Sequence, residues 1–281
     1  MNILFCGDVV GRAGRDVVVE HLPDLRRRLV LDFVIVNGEN AAHGFGITDK
    51  ICADLYDAGA DVITTGNHVW DQREIIGQID NDPRLLRPVN YPAGTPGRGV
   101  SVYEATRGRR VLVVNVMCRL FMDPLDDPFQ AIEEVLSDYP LGGAVDAVVI
   151  DVHGEASSEK MAMGHVFDGR ASLIVGTHTH VPTADAQILG GGTAYQTDAG
   201  MCGDYDSVIG MQKEAAIERF CRKMPGERLN PANGDGDLCA VYVETDDSSG
   251  LARYVAPLRL GGRLAPAWPV EASGQCDDAA E

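Results

Sequence analysis

Residues 3–8 read Ile-Leu-Phe-Cys-Gly-Asp. A short apolar run stops at a glycine with a polar side chain just beyond it, and the chain repeats this unit often enough for it to decide the fold. Apolar runs at 3–6, 33–36, 62–65, 111–116, 147–152 and 173–175 have the length and composition of buried strands. Between the first three, residues 16–29 and 49–58 place apolar side chains at helical spacing. Strand and helix in alternation predict βαβ units, hence an α/β fold whose first part is a largely parallel sheet.

Further along, residues 99–104 and 109–116 flank a Thr-Arg-Gly turn, and 185–189 and 193–196 flank Gly190-Gly191-Gly192. Both read as hairpins. Residues 238–244 and 254–260 are two more strand-like runs, separated by Asp246-Asp247-Ser248-Ser249-Gly250. The second half is therefore expected to add antiparallel strands. Two sheets packed face to face with helices outside accommodate both halves in a single domain over residues 1–270. Residues 271–281 are small, polar and acidic, and read as a frayed tail.

Composition narrows the function. The 281 residues carry 24 Lys and Arg against 42 Asp and Glu, a net charge of -18, with 45% hydrophobic residues. That apolar fraction is too high for a disordered acidic chain. The charge excludes a broad face for duplex nucleic acid or an anionic membrane, so a phosphate-bearing ligand needs a local source of positive charge. Cys6, Cys52, Cys118, Cys202, Cys221, Cys239 and Cys276 form no CxxC pair, as expected of reduced thiols in a cytoplasmic protein. The N-terminus has neither a basic leader nor a long apolar segment, so neither a signal peptide nor a membrane span is expected.

The chemistry sits where the runs stop. Successive runs end in Asp8, in Glu39-Asn40, in Asn67-His68, in His153 and in His178-Thr-His180. Just beyond the carboxyl ends of strands in an α/β sheet, side chains converge on one crevice. Taken singly, Asp8 could cap the next helix, Asn67 after Gly66 could be a turn residue, and each histidine could be a hydrogen-bonded core residue. Taken together they predict a metal site. Carboxylate, amide and imidazole donors without thiolate suit Mn²⁺, Fe or Zn²⁺. So many donors exceed one tetrahedral ion, and two ions sharing a carboxylate is the economical arrangement, with Glu39 as the bridge.

The stretches GDVVGRAGR, NGENAAHGFGIT, TTGNHVWDQ, DVHGEASSEK, VGTHTHVPTADAQIL and TDAGMCG resemble the calcineurin-like metallophosphoesterases, and within them the bacterial YmdB-like branch. The resemblance covers nearly the whole chain. It implies a four-layer αββα fold with two mixed sheets, a pair of divalent ions, and hydrolysis of small phosphodiesters, with 2',3'-cyclic nucleotides as the associated substrates. It assigns one ion to Asp8, Glu39, Asn40 and His180, and the other to Glu39, Asn67, His153 and His178. His68 is then an acid or phosphate donor facing the substrate. Where the wider superfamily has Asp-x-His, the third position here is Val10, and Glu39 followed by Asn40 replaces a bridging Asp. Asn40 is the residue that takes over the ligand Val10 cannot provide.

Two other enzyme readings and one non-catalytic reading frame this expectation. Gly7, Gly11 and Gly14 do not fit the GxGxxG spacing of a dinucleotide fold, and such a fold leaves Asn67, His153, His178 and His180 without a purpose. A phosphomonoesterase, or a metal-binding regulatory protein with little turnover, uses the same residues. The glycines could also cradle a phosphate at a helix start, with Arg12 or Arg15 adding charge. Phe45, Trp70 and Tyr205 are candidate base-stacking or core aromatics. The hairpins offer surfaces for a homo-oligomer.

Overall fold

In chain order, the first elements are β1 (Asn2–Cys6), β2 (Asp8–Val9), α1 (Gly11–Arg28), β3 (Phe33–Asn37), α2 (Asp49–Ala58), β4 (Val62–Thr64) and β5 (Leu85–Leu86). There follow β6 (Val100–Glu104), β7 (Arg110–Met117), α3 (Pro128–Asp138), β8 (Ala147–His153), α4 (Ser157–Val166) and β9 (Leu173–Thr177). The chain continues through β10 (Gln187–Ile188), β11 (Ala194–Gln196), β12 (Met201–Cys202), α5 (Lys213–Arg222), β13 (Leu238–Thr245) and β14 (Ala252–Leu260). This computed structural model describes residues 1–223 and 228–269, so the tail expected at 271–281 lies outside it.

Two six-stranded mixed sheets form, in the orders β14-β13-β1-β3-β4-β5 and β10-β11-β9-β8-β7-β6. Strand alternation explains how they stack. Ile3, Phe5, Phe33 and Ile35 of the first sheet face Val111, Val113, Val149 and Val175 of the second across an inner core. The intervening Leu4, Cys6, Val34 and Val36 face outward under α1 and α2, which supply Val18, Leu22, Leu25 and Leu55. On the far side Leu112, Val114, Ile150 and Ile174 pack beneath Ile132 and Leu136 of α3, Met163 of α4 and Phe167 just after it. Strands apolar on both faces are what a sheet covered on both sides requires. The result is the expected αββα layering.

The second half departs from expectation. The two predicted hairpins, β6-β7 and β10-β11, form, and the two further strand-like runs pair with each other as β13-β14. However, β7, β8, β9 and β11 run parallel, so the second sheet is itself built from crossovers, with antiparallel strands at its edges. The β13-β14 hairpin instead returns to the first sheet, where β13 lies antiparallel to β1. Helix α1 begins at Gly11, well before residue 16. Its glycines answer to packing: a Cβ on Gly7 would meet the Gly200 carbonyl oxygen at 1.8 Å, and one on Gly14 the Cys202 carbonyl oxygen at 2.2 Å. Arg12 is exposed and pairs with Asp16, while Arg15 donates to the Ala41 carbonyl. The phosphate cradle considered for this segment is replaced by close backbone contact with the β12 segment.

Candidate metal centre

Parallel strands β1, β3 and β4 of one sheet and β8 and β9 of the other all end on the same side. Their ends bring Asp8, Glu39, Asn40, Asn67, His68, His153, His178 and His180 together. Asp8, Glu39 and His153 have no solvent exposure, and Asn40 and His180 are buried. Asp8 caps nothing: the N-cap of α1 is Val10, without a side-chain bond. Gly66 is more than a turn residue, because a Cβ there would lie 2.3 Å from both Glu39 Oε2 and His153 Nε2.

Hydrogen bonds around the cluster orient its lone pairs. His180 Nδ1 donates to the Ile209 carbonyl at 2.8 Å, which leaves Nε2 facing Asn40 Oδ1 at 3.3 Å and Asp8 Oδ1 at 4.0 Å. Asn40 donates its amide to the Gly44 carbonyl, turning Oδ1 inward. The Thr177 hydroxyl donates to Asp151 at 2.7 Å and so accepts from His153 Nδ1 at 2.9 Å. His153 Nε2 then points at Asn67 Oδ1 (2.9 Å), His178 Nδ1 (3.1 Å) and Glu39 Oε1 (3.2 Å). The other nitrogen of His178 faces Glu155 at 3.4 Å. A second ring nitrogen engaged by carbonyl, hydroxyl or carboxylate is the usual outer support of a metal-binding histidine.

Facing acceptors with no proton between them repel, and a buried acceptor without a partner costs roughly 1–3 kcal/mol. Glu39 Oε1 is buried and accepts no hydrogen bond. The ligating atoms of Glu39, His153 and His178 lie within 4.8 Å of one another, as do those of Asp8, Glu39 and His180. Glu39 belongs to both groups. This donor set suits divalent cations, with the Asn40 amide oxygen beside one group and the Asn67 amide oxygen beside the other.

Electrostatics agree. Burial and the neighbouring Asp198 raise the Asp8 carboxyl well above its ordinary range. Burial opposes charge on His153, yet Glu39, Asp8 and Asp151 together raise it. Burial would raise Glu39 as well, but His153 brings it down to about 2. Burial and His153 lower His178 to about 3. The cluster thus draws positive charge into its centre, as proton or as metal ion.

His68 stands apart from the ligating groups. Its backbone amide donates to Glu39 Oε2 at 3.1 Å, and its Nδ1 lies 2.8 Å from Asp71 Oδ2. Nε2 is left on the far side of the ring from that carboxylate, and the side chain is 27% exposed. Phe45 meets the ring edge-on at 5.1 Å between centroids. Trp70 instead packs into the core against Tyr91, and the Tyr205 hydroxyl binds the Met201 and His180 backbones. Both take the core assignment.

Sequence reasoning missed the supporting residues. Asp71, Asp151, Glu155 and Thr177 all lie inside the quoted motif stretches. The spacing of Asp71 three residues after His68 was the available signal. Asn37 is another: its amide donates to Asp151 at 3.0 Å, while its own carbonyl oxygen accepts from the Glu39 amide. Asp151 therefore links Glu39, on the first sheet, to His153, on the second.

Comparison with known proteins agrees with this geometry. The chain is 49% identical over 249 residues to the 2',3'-cyclic-nucleotide 2'-phosphodiesterase of Bacillus subtilis (strain 168), covering 89% of this chain and 93% of that protein. It is 37% identical over 253 residues to a putative phosphatase/phosphodiesterase of Mycoplasma pneumoniae, covering 88% of each. Among solved structures, a hypothetical protein from Thermus thermophilus superposes with a TM-score of 0.87 at 43% identity, covering 94% of this chain and all of the other. A structure described as a novel phosphatase from Mycoplasma pneumoniae gives a TM-score of 0.86 at 33% identity, covering 93% of each chain. With residues 4–258 matching the profile of the YmdB-like protein family, the chain belongs to that family.

Proposed function

We propose that this protein is a metal-dependent phosphodiesterase that hydrolyses small phosphodiesters, with 2',3'-cyclic nucleotides as its substrates. The observation that carries the reading is the convergence of oxygen and nitrogen lone pairs from two sheets around Glu39 Oε1, which accepts no hydrogen bond. The name of the Bacillus relative supports the substrate class.

Asp8, Glu39, Asn40 and His180 would hold one divalent ion, and Glu39, Asn67, His153 and His178 the other, with Mn²⁺ or Fe favoured by the mixed donors and Zn²⁺ the alternative. When bound, such a pair supplies Lewis acidity toward the phosphoryl oxygens and makes water a nucleophile near neutral pH. The chain's own residues do the rest. Ligands rooted on two sheets would hold the ions, and with them the reacting phosphorus, in one crevice. Hydrolysis breaks one P–O bond to ribose as water adds to phosphorus, and the departing ribose oxygen takes a proton. His68 Nε2 would give it, a role supported by Asp71, which holds Nδ1 and thereby the direction of the ring. No helix among the described residues is long and apolar enough to cross a membrane, in keeping with a cytoplasmic site of action.

The test is a panel of 2',3'- and 3',5'-cyclic nucleotides, phosphomonoesters and bis-p-nitrophenyl phosphate, with Mn²⁺ present. Diester turnover abolished by chelator and by His153→Ala is the expected result. Absence of turnover on every diester overturns the proposal.

A further inference from the structure

Two ligating histidines sit in backbone conformations that a non-glycine residue avoids: His178 has φ 94° and His180 φ 66°. Such strain persists only where surroundings over-determine it. For His178 the surroundings include a fully buried ion pair, Lys160 on α4 with Asp198 after β11, 2.8 Å apart and with side chains 1% and 0% exposed.

The pair grips the peptide on each side of His178. Lys160 Nζ donates to the Thr177 carbonyl at 2.7 Å, fixing the 177–178 peptide plane. The amide of the same plane donates to Asp8 at 3.2 Å, so both of its edges are held. Asp198 Oδ2 accepts from the Thr179 amide at 3.1 Å and from the Thr179 hydroxyl at 2.7 Å, fixing the 178–179 plane. The other oxygen of Asp198 accepts from the Gly200 amide at 2.9 Å, which anchors the carboxylate. With both planes fixed, the φ and ψ of His178 follow, and with them the direction of its Cα–Cβ bond, from which the ring reaches His153 and Glu155. Close packing leaves no slack: a Cβ on Gly176 would lie 2.7 Å from Lys160 Cδ and 1.8 Å from the Thr197 carbonyl oxygen.

A buried ion pair contributes little net stability against an apolar pair of the same size, so its presence calls for another reason. We infer that Lys160 and Asp198 are positioning residues that hold His178 in its strained conformation and so set the affinity of the Glu39, Asn67, His153 and His178 group for its metal ion. This rests on the metal reading proposed above. In the Asp8, Glu39, Asn40 and His180 group, His180 is gripped elsewhere, its ring through Ile209 and its own carbonyl through the Met201 amide; only Asp8 meets the held plane, as acceptor of the His178 amide.

Mn²⁺ binding to the full-length chain, followed by calorimetry, tests this. Lys160→Met is expected to weaken one of two Mn²⁺ equivalents by roughly 10–100-fold, the range for loss of an outer support of a metal ligand, and to leave the other within about threefold. Activity should return at high Mn²⁺ with KM for substrate unchanged, a pattern that loss of fold does not produce. The neutral pair Lys160→Met/Asp198→Asn leaves no unpaired buried charge and serves if the single variant does not fold; the same weakening is expected, with a thermal midpoint near that of the parent. Lys213→Met, which breaks an exposed lysine–aspartate pair, should bind both equivalents normally. Wild-type affinity in a folded Lys160 variant overturns the positioning role, as does failure of both variants to fold. Absence of Mn²⁺ binding by the wild type overturns the metal reading itself.

Discussion

The two sheets reach the same crevice with different chemistry. The first ends in oxygen donors, Asp8, Glu39, Asn40 and Asn67, while the second ends in imidazoles, His153, His178 and His180. Their supports differ too. On the oxygen side the carboxylates accept from backbone amides, Asp8 from His178 across the crevice and Glu39 from His68 on the neighbouring strand end of its own sheet. On the nitrogen side each ring is held at its second nitrogen, by Ile209, Thr177 or Glu155. Charge is therefore concentrated on one sheet and orientation on the other. The two halves meet at Glu39, which belongs to both groups of candidate ligands.

The comparison is broken most thoroughly at Glu39. Glu39→Ala should abolish binding of both ions and cut turnover by roughly 10³-fold or more, beyond the ~10²–10³ lost with a single charge-stabilising group. Metal content by elemental analysis alongside initial rates checks it, and a variant that keeps both ions refutes the bridge. His68→Ala separates chemistry from binding: metal content should stay at the wild-type level while kcat falls about 10²–10⁴-fold. Full activity in that variant removes His68 from the reaction.

Smaller changes sharpen the contrast between charge and orientation. Thr177→Val deletes the hydroxyl that accepts from His153 Nδ1 without touching a ligand. Metal affinity should fall roughly 10–100-fold at the group containing His153 and little at the other; equal loss at both would show that the groups are not separately supported. Asp71→Asn should lower kcat about tenfold with metal content intact, since only the direction of the His68 ring is loosened.

The smallest effect is on stability against pH. The raised Asp8 carboxyl keeps a proton in the metal-free fold that the unfolded chain, with a carboxylate pKa near 3.9, has already lost. The folded form then binds more protons, so metal-free stability falls as pH rises from about 4 through that raised value. Metal requires the same carboxylate ionised. The gap in thermal midpoint between Mn²⁺-loaded and chelated protein should widen by a few degrees as pH rises above the unfolded carboxylate value of about 4, and a constant gap would show that Asp8 is not a ligand.

Much of this was legible in the sequence because strand ends are. An apolar run followed by glycine and then a carboxylate, amide or imidazole identifies both a strand and what lies beyond it, and every residue so identified reaches the crevice. Apart from Asp71, three residues after His68, the supports were not legible, since they are common residue types joined across long separations: His178 and Asp8 are 170 residues apart, and Asn37 and Asp151 are 114. The parallel centre of the second sheet was missed for a related reason. Helix α4 buries Glu159 and Lys160 together with Met163 and Gly164, so its inward face lacks the apolar stripe by which a crossover helix is recognised. Glu159 turns its carboxylate to the amides of Arg119 and Leu120, a polar contact that apolar periodicity does not reveal.

The central claim is that two ions share Glu39 between the oxygen-bearing and the nitrogen-bearing sheet. Anomalous diffraction at the manganese edge from crystals grown with Mn²⁺ measures it directly. The account predicts two peaks about 3.5–4 Å apart, one beside Asp8, Asn40 and His180, the other beside Asn67, His153 and His178, with a Glu39 oxygen within bonding distance of each. A single peak, or a pair of peaks of which Glu39 contacts only one, would contradict it.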